Sequence, residues 1–120
     1  MLEILEQKDT ADYTTLLEEI SADAPLHVVE SMSEDQVTGY AVFSYHPDAV
    51  TLYRCETGKD MVLFDGIVRS VLFKAAMRGI NRAVFQFENP WLASLRFVQP
   101  ETNVCADINA LLSCCGDGCK

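Results

Sequence analysis

The stretch ETGKDMVLFDGIVRSVLFKAAMRGINRAVFQF, residues 56–87, decides the fold. Leu63/Phe64, Ile67/Val68, Val71/Leu72 and Ala75/Ala76 recur every three to four residues. That spacing predicts an amphipathic helix of about five turns. Arg78-Gly79 closes it, with a base in the last turn and a glycine just beyond. Arg82 to Phe87 then reads as a strand, which pairs parallel to its predecessor after a helical crossover.

Upstream the period is two. Leu2 to Glu6 alternates and reads as a short first strand. Asp9-Thr10-Ala11-Asp12 offers N-cap chemistry for a helix carrying Tyr13, Leu16, Leu17 and Ile20, which ends before Pro25. Leu26–Met32, Val37–Tyr45 and Ala49–Cys55 are strands joined by the polar turns Ser33–Gln36 and His46–Asp48, an antiparallel meander. Gly39 marks a bulge or a close backbone approach. Downstream, Asn89-Pro90 breaks the chain and Trp91–Leu95 forms a short helical turn. Two short strands are expected near Arg96–Gln99 and Val104–Ile108, then a last helical turn at Asn109–Ser113. The organisation expected is one domain over residues 1–110 and a cysteine-rich tail over 111–120.

The element order β-α-β-β-β-α-β-α-β-β resembles the GNAT fold of acetyl-CoA-dependent N-acetyltransferases. The likeness runs from Leu2 to Ile108. Val37-Thr38-Gly39-Tyr40-Ala41-Val42 is similar to the family's xxGYAxx third strand. Ala75 to Val84 is similar to its A-x-x-x-G-x-x-x-[AV] step from the cofactor helix to the next strand. The resemblance implies an α+β fold with a mixed, mainly antiparallel sheet and a long central helix packed on it. It implies acetyl-CoA as cofactor, a small-molecule or peptide amine as acceptor, and a possible homodimer.

In that family the cofactor pyrophosphate sits at the start of the long helix, on Q/R-x-x-G-x-G/A. Free backbone N–H groups and the positive helix end capture the anion. Counted back from Gly79, the motif falls on Lys59, Asp60, Met61, Val62, Leu63 and Phe64. Lys59 keeps a positive charge. Val62 and Phe64 stand where the family has small residues, and each adds bulk. As an N-cap, the Asp60 carboxylate would take the N–H groups that phosphates need. Glu56 adds a second negative charge. The loop is degenerate, and two readings follow: an N-acetyltransferase-related domain, or a non-catalytic binding protein on the same frame.

No spacing singles out a catalytic residue. Tyr40, Tyr45 and Tyr53 lie on strands, and Glu30 and Glu88 are candidate bases. His27 and His46 stand in no nucleophile–base pattern. Cys55 ends a strand beside the long helix; a reactive thiol near a helix N-terminus is one reading, opposed by Glu56 and Asp60, and a half-buried structural cysteine is the favoured one. Cys114, Cys115 and Cys119 cluster within six residues, with Gly116 and Gly118 between them. Thiolates are soft ligands, so this tail is a candidate site for zinc or an iron–sulfur cluster, or a redox-sensing segment. A fourth ligand would come from Cys105, Cys55, a histidine or another chain. Eighteen acids against nine bases give a net charge of −9, which argues against nucleic acid and anionic membranes as partners. With no export signal and an odd number of cysteines, the expected setting is the reducing cytoplasm.

Overall fold

In the computed structural model, residues 2–7, 14–20, 24–34, 36–98 and 102–116 are described. The elements run β1 (Leu2–Gln7), α1 (Thr14–Glu18), β2 (His27–Ser33), β3 (Gln36–Tyr45), β4 (Val50–Glu56), α2 (Met61–Met77), β5 (Ala83–Phe85), α3 (Pro90–Ser94), β6 (Val104–Cys105) and α4 (Ile108–Gly116). The six strands form one sheet in chain order. All neighbouring pairs are antiparallel except β4 and β5, which run parallel on either side of the α2 crossover. This is the α+β arrangement the sequence predicts.

Helix α2 lies on one face of the sheet. Its Leu63, Phe64, Ile67, Val68, Val71, Leu72 and Ala75 are buried, on the stripe marked by the 3–4 spacing. Val29, Ala41, Phe43, Leu52, Ala83 and Phe85 join them in one core cluster. The alternate residues Val28 and Val42 are also fully buried, on the other face. The helix ends as the sequence indicates. Gly79 takes φ +79, its N–H donates to Ala76 O, and the Ile80 N–H reaches Ala75 O. These two bonds form a Schellman motif, in which glycine has no Cβ to strain the left-handed backbone.

Two irregularities bend the meander. Between β2 and β3 the register slips after Ser31, leaving Thr38 as the extra residue next to Gly39. Between β3 and β4 it slips after Val42, leaving Tyr53 as the extra residue. Both functions expected of Gly39 are therefore met. A Cβ there would stand 2.8 Å from Glu56 O and 2.9 Å from Thr57 Cγ2. The last residues of β4 and the α2 helix can approach β3 only because the side chain is missing.

The C-terminal third departs from the sequence reading. The strand expected at Arg96–Gln99 is absent over Arg96–Val98, and Gln99 lies outside the described residues. Arg96 adopts φ 65 and turns the chain back. The Phe97 N–H is then spent on Leu92 O at 2.8 Å, and Phe97 and Val98 enter the core as a plug. The strand at Val104–Ile108 stops at Cys105, because Ile108 opens α4 with its N–H on Asn81 O. That helix continues through Gly116, so Cys114 and Cys115 fall in its last turn. The Asp9–Asp12 cap and Tyr13 lie outside the described residues, as do Asp117–Lys120. The helix after that cap is described over Thr14–Glu18.

Gly39→Ala tests the close approach. The new methyl meets a backbone carbonyl that cannot rotate away, so a loss of about 1–3 kcal/mol is expected in urea unfolding. An unchanged midpoint would mean that β3 and the β4–α2 turn are not in contact.

Candidate functional site at the head of helix α2

The parallel β4/β5 pair is short. Val50, Thr51 and Leu52 face Ala83, Val84 and Phe85, and the Gln86 N–H closes the ladder on Leu52 O at 2.7 Å. Beyond that bond β4 runs on to Glu56 while β5 has ended, and the strands part. The head of α2 stands over this parting, at the carboxyl end of the two strands. In open sheets with parallel strands, ligands are received at that end.

The turn from β4 into α2 is held by its own polar groups. Gly58 takes φ +62 and lets the chain reverse. The buried Thr57 donates its hydroxyl to Asp60 O at 3.0 Å, and the Asp60 N–H returns to Thr57 O at 3.2 Å. Asp60 is the N-cap: the Leu63 N–H donates to its Oδ1 at 2.9 Å, and the Phe64 N–H donates to its backbone O at 3.0 Å. A carboxylate at this position also faces the positive end of the helix, which adds about 0.3–1 kcal/mol. Thr57 carries no motif in the sequence, and only the folded turn shows that it braces the cap.

The six loop residues do not act alike. Lys59, Asp60, Met61 and Val62 are exposed, with Val62 at 79%. The Val62 side chain therefore adds its bulk on the outer surface of the helix. Phe64 is at 0% exposure and points beneath the helix. Its ring meets Trp91 of α3 edge-on, centroids 5.3 Å apart, and Phe87 at 6.5 Å. Phe85 continues the aromatic chain from Phe87 at 6.0 Å. The parting of β4 from β5 is thus packed with rings contributed by α2, β5 and α3. A groove of about 340 Å³ remains beside the helix head, lined by Ile4, Ser33, Thr38, Asp60, Val62, Leu63 and Gly66. Among the described residues that line it, the charged group is the Asp60 carboxylate.

Strand register brings together residues that sequence spacing could not. Glu30, Tyr40 and Glu56 stand in one row across β2, β3 and β4, on the face away from α2. Burial, and then the Glu56 charge, push the Tyr40 hydroxyl above its ordinary range, so it stays a proton donor. Tyr45 and Tyr53 have structural partners. The Arg78 guanidinium lies over the Tyr45 ring at 3.9 Å, and His27 meets that ring edge-on at 4.9 Å. The Tyr53 hydroxyl and His46 Nε2 both bond Ser44 Oγ, at 2.9 and 2.8 Å. Glu88 is exposed in the loop after β5, away from this row.

The cysteines divide in the same way. Cys55 and Cys105 are buried and free. Burial, and then the Glu56 charge, push the Cys55 thiol up to about 12. Burial also raises Cys105. No cluster of three His, Cys, Asp or Glu suited to a metal occurs among the described residues. Cys119 lies outside them. No helix of the described residues is long and apolar enough to cross a membrane.

The architecture can be compared with known proteins. No protein-family profile matches the sequence, and no curated protein matches it. Solved structures do match. A GNAT-family chain from Desulfovibrio desulfuricans aligns with TM-score 0.59 and 15% identity, over 80% of each chain. The KacTA–DNA complex contains a chain with TM-score 0.60 and 16% identity, covering 94% of this chain and 99% of that one. Aminoglycoside N-acetyltransferase AAC(6′)-Iy, in complex with CoA, aligns with TM-score 0.54 and 13% identity, over 80% and 82% of the two chains. The fold is that of the GNAT acetyltransferases, as the sequence resemblance implies.

Thiol chemistry checks the buried cysteines. In a variant with Cys114, Cys115 and Cys119 replaced by Ser, Cys55 and Cys105 should not react with Ellman's reagent at pH 8 until denaturant is added. The native state holds the Cys55 proton that the unfolded chain releases near 9.0. Cys55 therefore stabilises the fold below that pH, and the contribution fades as pH rises towards about 12. Rapid reaction in the folded protein would show that the thiols are accessible.

Proposed function

We propose that this GNAT-fold chain is a non-catalytic binding domain, related in fold to acetyltransferases, whose acetyl-CoA phosphate seat is closed by its own side chains. One observation carries the reading: the Asp60 carboxylate occupies the Leu63 N–H at the head of α2 while Phe64 fills the space beneath. Phosphate capture at a helix N-terminus needs those N–H groups free and the local charge positive. Here the N–H is bonded to a carboxylate. The exposed Lys59 is the one cation in the segment Glu56–Phe64. Displacing the cap costs about 0.5–2 kcal/mol before any phosphate contact forms. The residues present do not fit acetyl-CoA, although one neighbour of the same fold is a CoA complex.

The occupant of such a domain would suit an acidic surface, and at net charge −9 a cationic small molecule or peptide is favoured over nucleic acid. The cysteine tail remains a candidate regulatory element. Cys114, Cys115 and Cys119 supply the soft ligands for zinc or an iron–sulfur cluster, with a further ligand from a second copy in a homodimer or from elsewhere in the chain.

Calorimetry with acetyl-CoA and CoA tests the closed seat, using wild type and Asp60→Gly. Glycine is tolerated at an N-cap for a few tenths of a kcal/mol, so that variant should stay folded. Wild type should give no binding heat, and Asp60→Gly should bind measurably more than wild type. Val62→Gly should change nothing, because that side chain is already outside. Phe64→Gly is uninformative, since emptying this site costs about 3–5 kcal/mol of core stability. Micromolar binding by wild type would overturn the reading and restore acetyl transfer to an amine as the function.

A further inference from the structure

A second concavity, of about 900 Å³, opens on the other side of β5 from the α2 seat. It forms where β5 ends and the chain enters β6. The Phe85 N–H still bonds Asn103 O at 2.8 Å, but beyond it the β5–α3 loop turns away. Phe87, Leu92 and Val98 supply apolar walls, while Gln86, Glu88, Asn89, Thr102 and Asn103 supply polar groups. The volume is within the range of small-molecule sites, about 300–1,000 Å³. Neither α2 nor β4 contributes to it, so it stands whether or not the α2 seat is closed.

The two carboxamides have their roles set by internal bonds. Asn89 Oδ1 accepts the Trp91 N–H at 2.8 Å as the cap of α3. Its Nδ2 donors are left for another partner. Asn103 Nδ2 donates to Phe85 O at 3.0 Å. Its Oδ1 acceptor is left in turn. The cleft thus offers donors on Asn89 and an acceptor on Asn103 between apolar walls, which suits a planar ring carrying both an acceptor and a donor. Among the described residues of the lining Glu88 is the charged group, and it disfavours anions. We infer that this cleft binds a neutral planar heterocycle with an amide-like edge, the pattern shared by nucleobases and carboxamide-bearing rings.

Uridine and nicotinamide separate these two sources, and uridine 5′-monophosphate tests the charge. Each is titrated into the full ¹⁵N-labelled chain, and amide shifts are followed. Signals of Gln86–Ala93 and Asn103 should move with uridine, nicotinamide or both, and those of the α2 head should not. Asn89→Asp keeps the cap oxygen but loses the donor, and should weaken binding tenfold or more. Ala93→Trp fills the cleft from an exposed position on α3, so it should abolish binding in a folded protein. The monophosphate should bind several-fold more weakly than uridine, and Glu88→Gln should narrow that gap. No shift with either neutral probe would overturn the proposal. So would shifts that persist in Ala93→Trp, or monophosphate binding as tight as uridine.

Discussion

The packing of Phe64 under the first turn of α2 fixes more of this molecule than any other contact. The helix is the crossover between β4 and β5, so its seating sets how far those strands run together. Its buried stripe reaches from Leu63 to Ala75, and Phe64 extends it to the point where the strands separate. There the ring closes on Trp91 and Phe87. A buried aromatic side chain contributes on the order of 2–3 kcal/mol by area alone. Those contacts tie α3 and the β5–α3 loop to the head of α2. The same ring fills the space between the parted strands.

Stability and ligand capture make opposed demands at this helix end. A helix N-terminus leaves several N–H groups without intrahelical partners, and something must satisfy them. In this chain Asp60 does so, braced from behind by Thr57 and the reversed backbone at Gly58. The cap is an ordinary stabilising device. Its consequence is that the helix presents a carboxylate where an anion site would present bare donors. The Asp60 carboxylate sets the sign of the charge at the helix head, and the chain as a whole carries −9. The row of Glu30, Tyr40 and Glu56 extends the acidic character onto the far face of the sheet.

Much of the fold was legible in the sequence because its signals are local and periodic. The α2 stripe, the Arg78-Gly79 ending and the three meander strands each depend on residues close together in the chain. The close approach at Gly39 was legible for a related reason, since a glycine inside a strand needs a neighbour that excludes Cβ. The C-terminal third was legible in part: the short helix after Asn89 and the last helix were expected, but the strand at Arg96–Gln99 and the length of the next one were misread. Phe97 and Val98 have strand-like chemistry, but a positive φ at Arg96 and one bond from Phe97 to Leu92 O override it. Ile108 looks like the end of a strand, yet its N–H is claimed by Asn81, distant in sequence. At the site, the bulk of Val62 and Phe64 was readable but its direction was not. Helix phase places the first outside and the second inside. The partners of Phe64 lie more than twenty residues away on α3 and its preceding loop, so no local pattern announces them.

Hydrogen exchange at single amides of the α2 head gives the most direct test of the closed seat. If Asp60 holds the Leu63 N–H, that amide exchanges more slowly than those of Met61 and Val62, which precede it in the first turn. Its rate should not change when millimolar acetyl-CoA is added. Slowing at Met61, Val62 and Leu63 on adding the cofactor would contradict the closed seat, because it would place phosphate oxygens at the helix head that the Asp60 carboxylate is held to close.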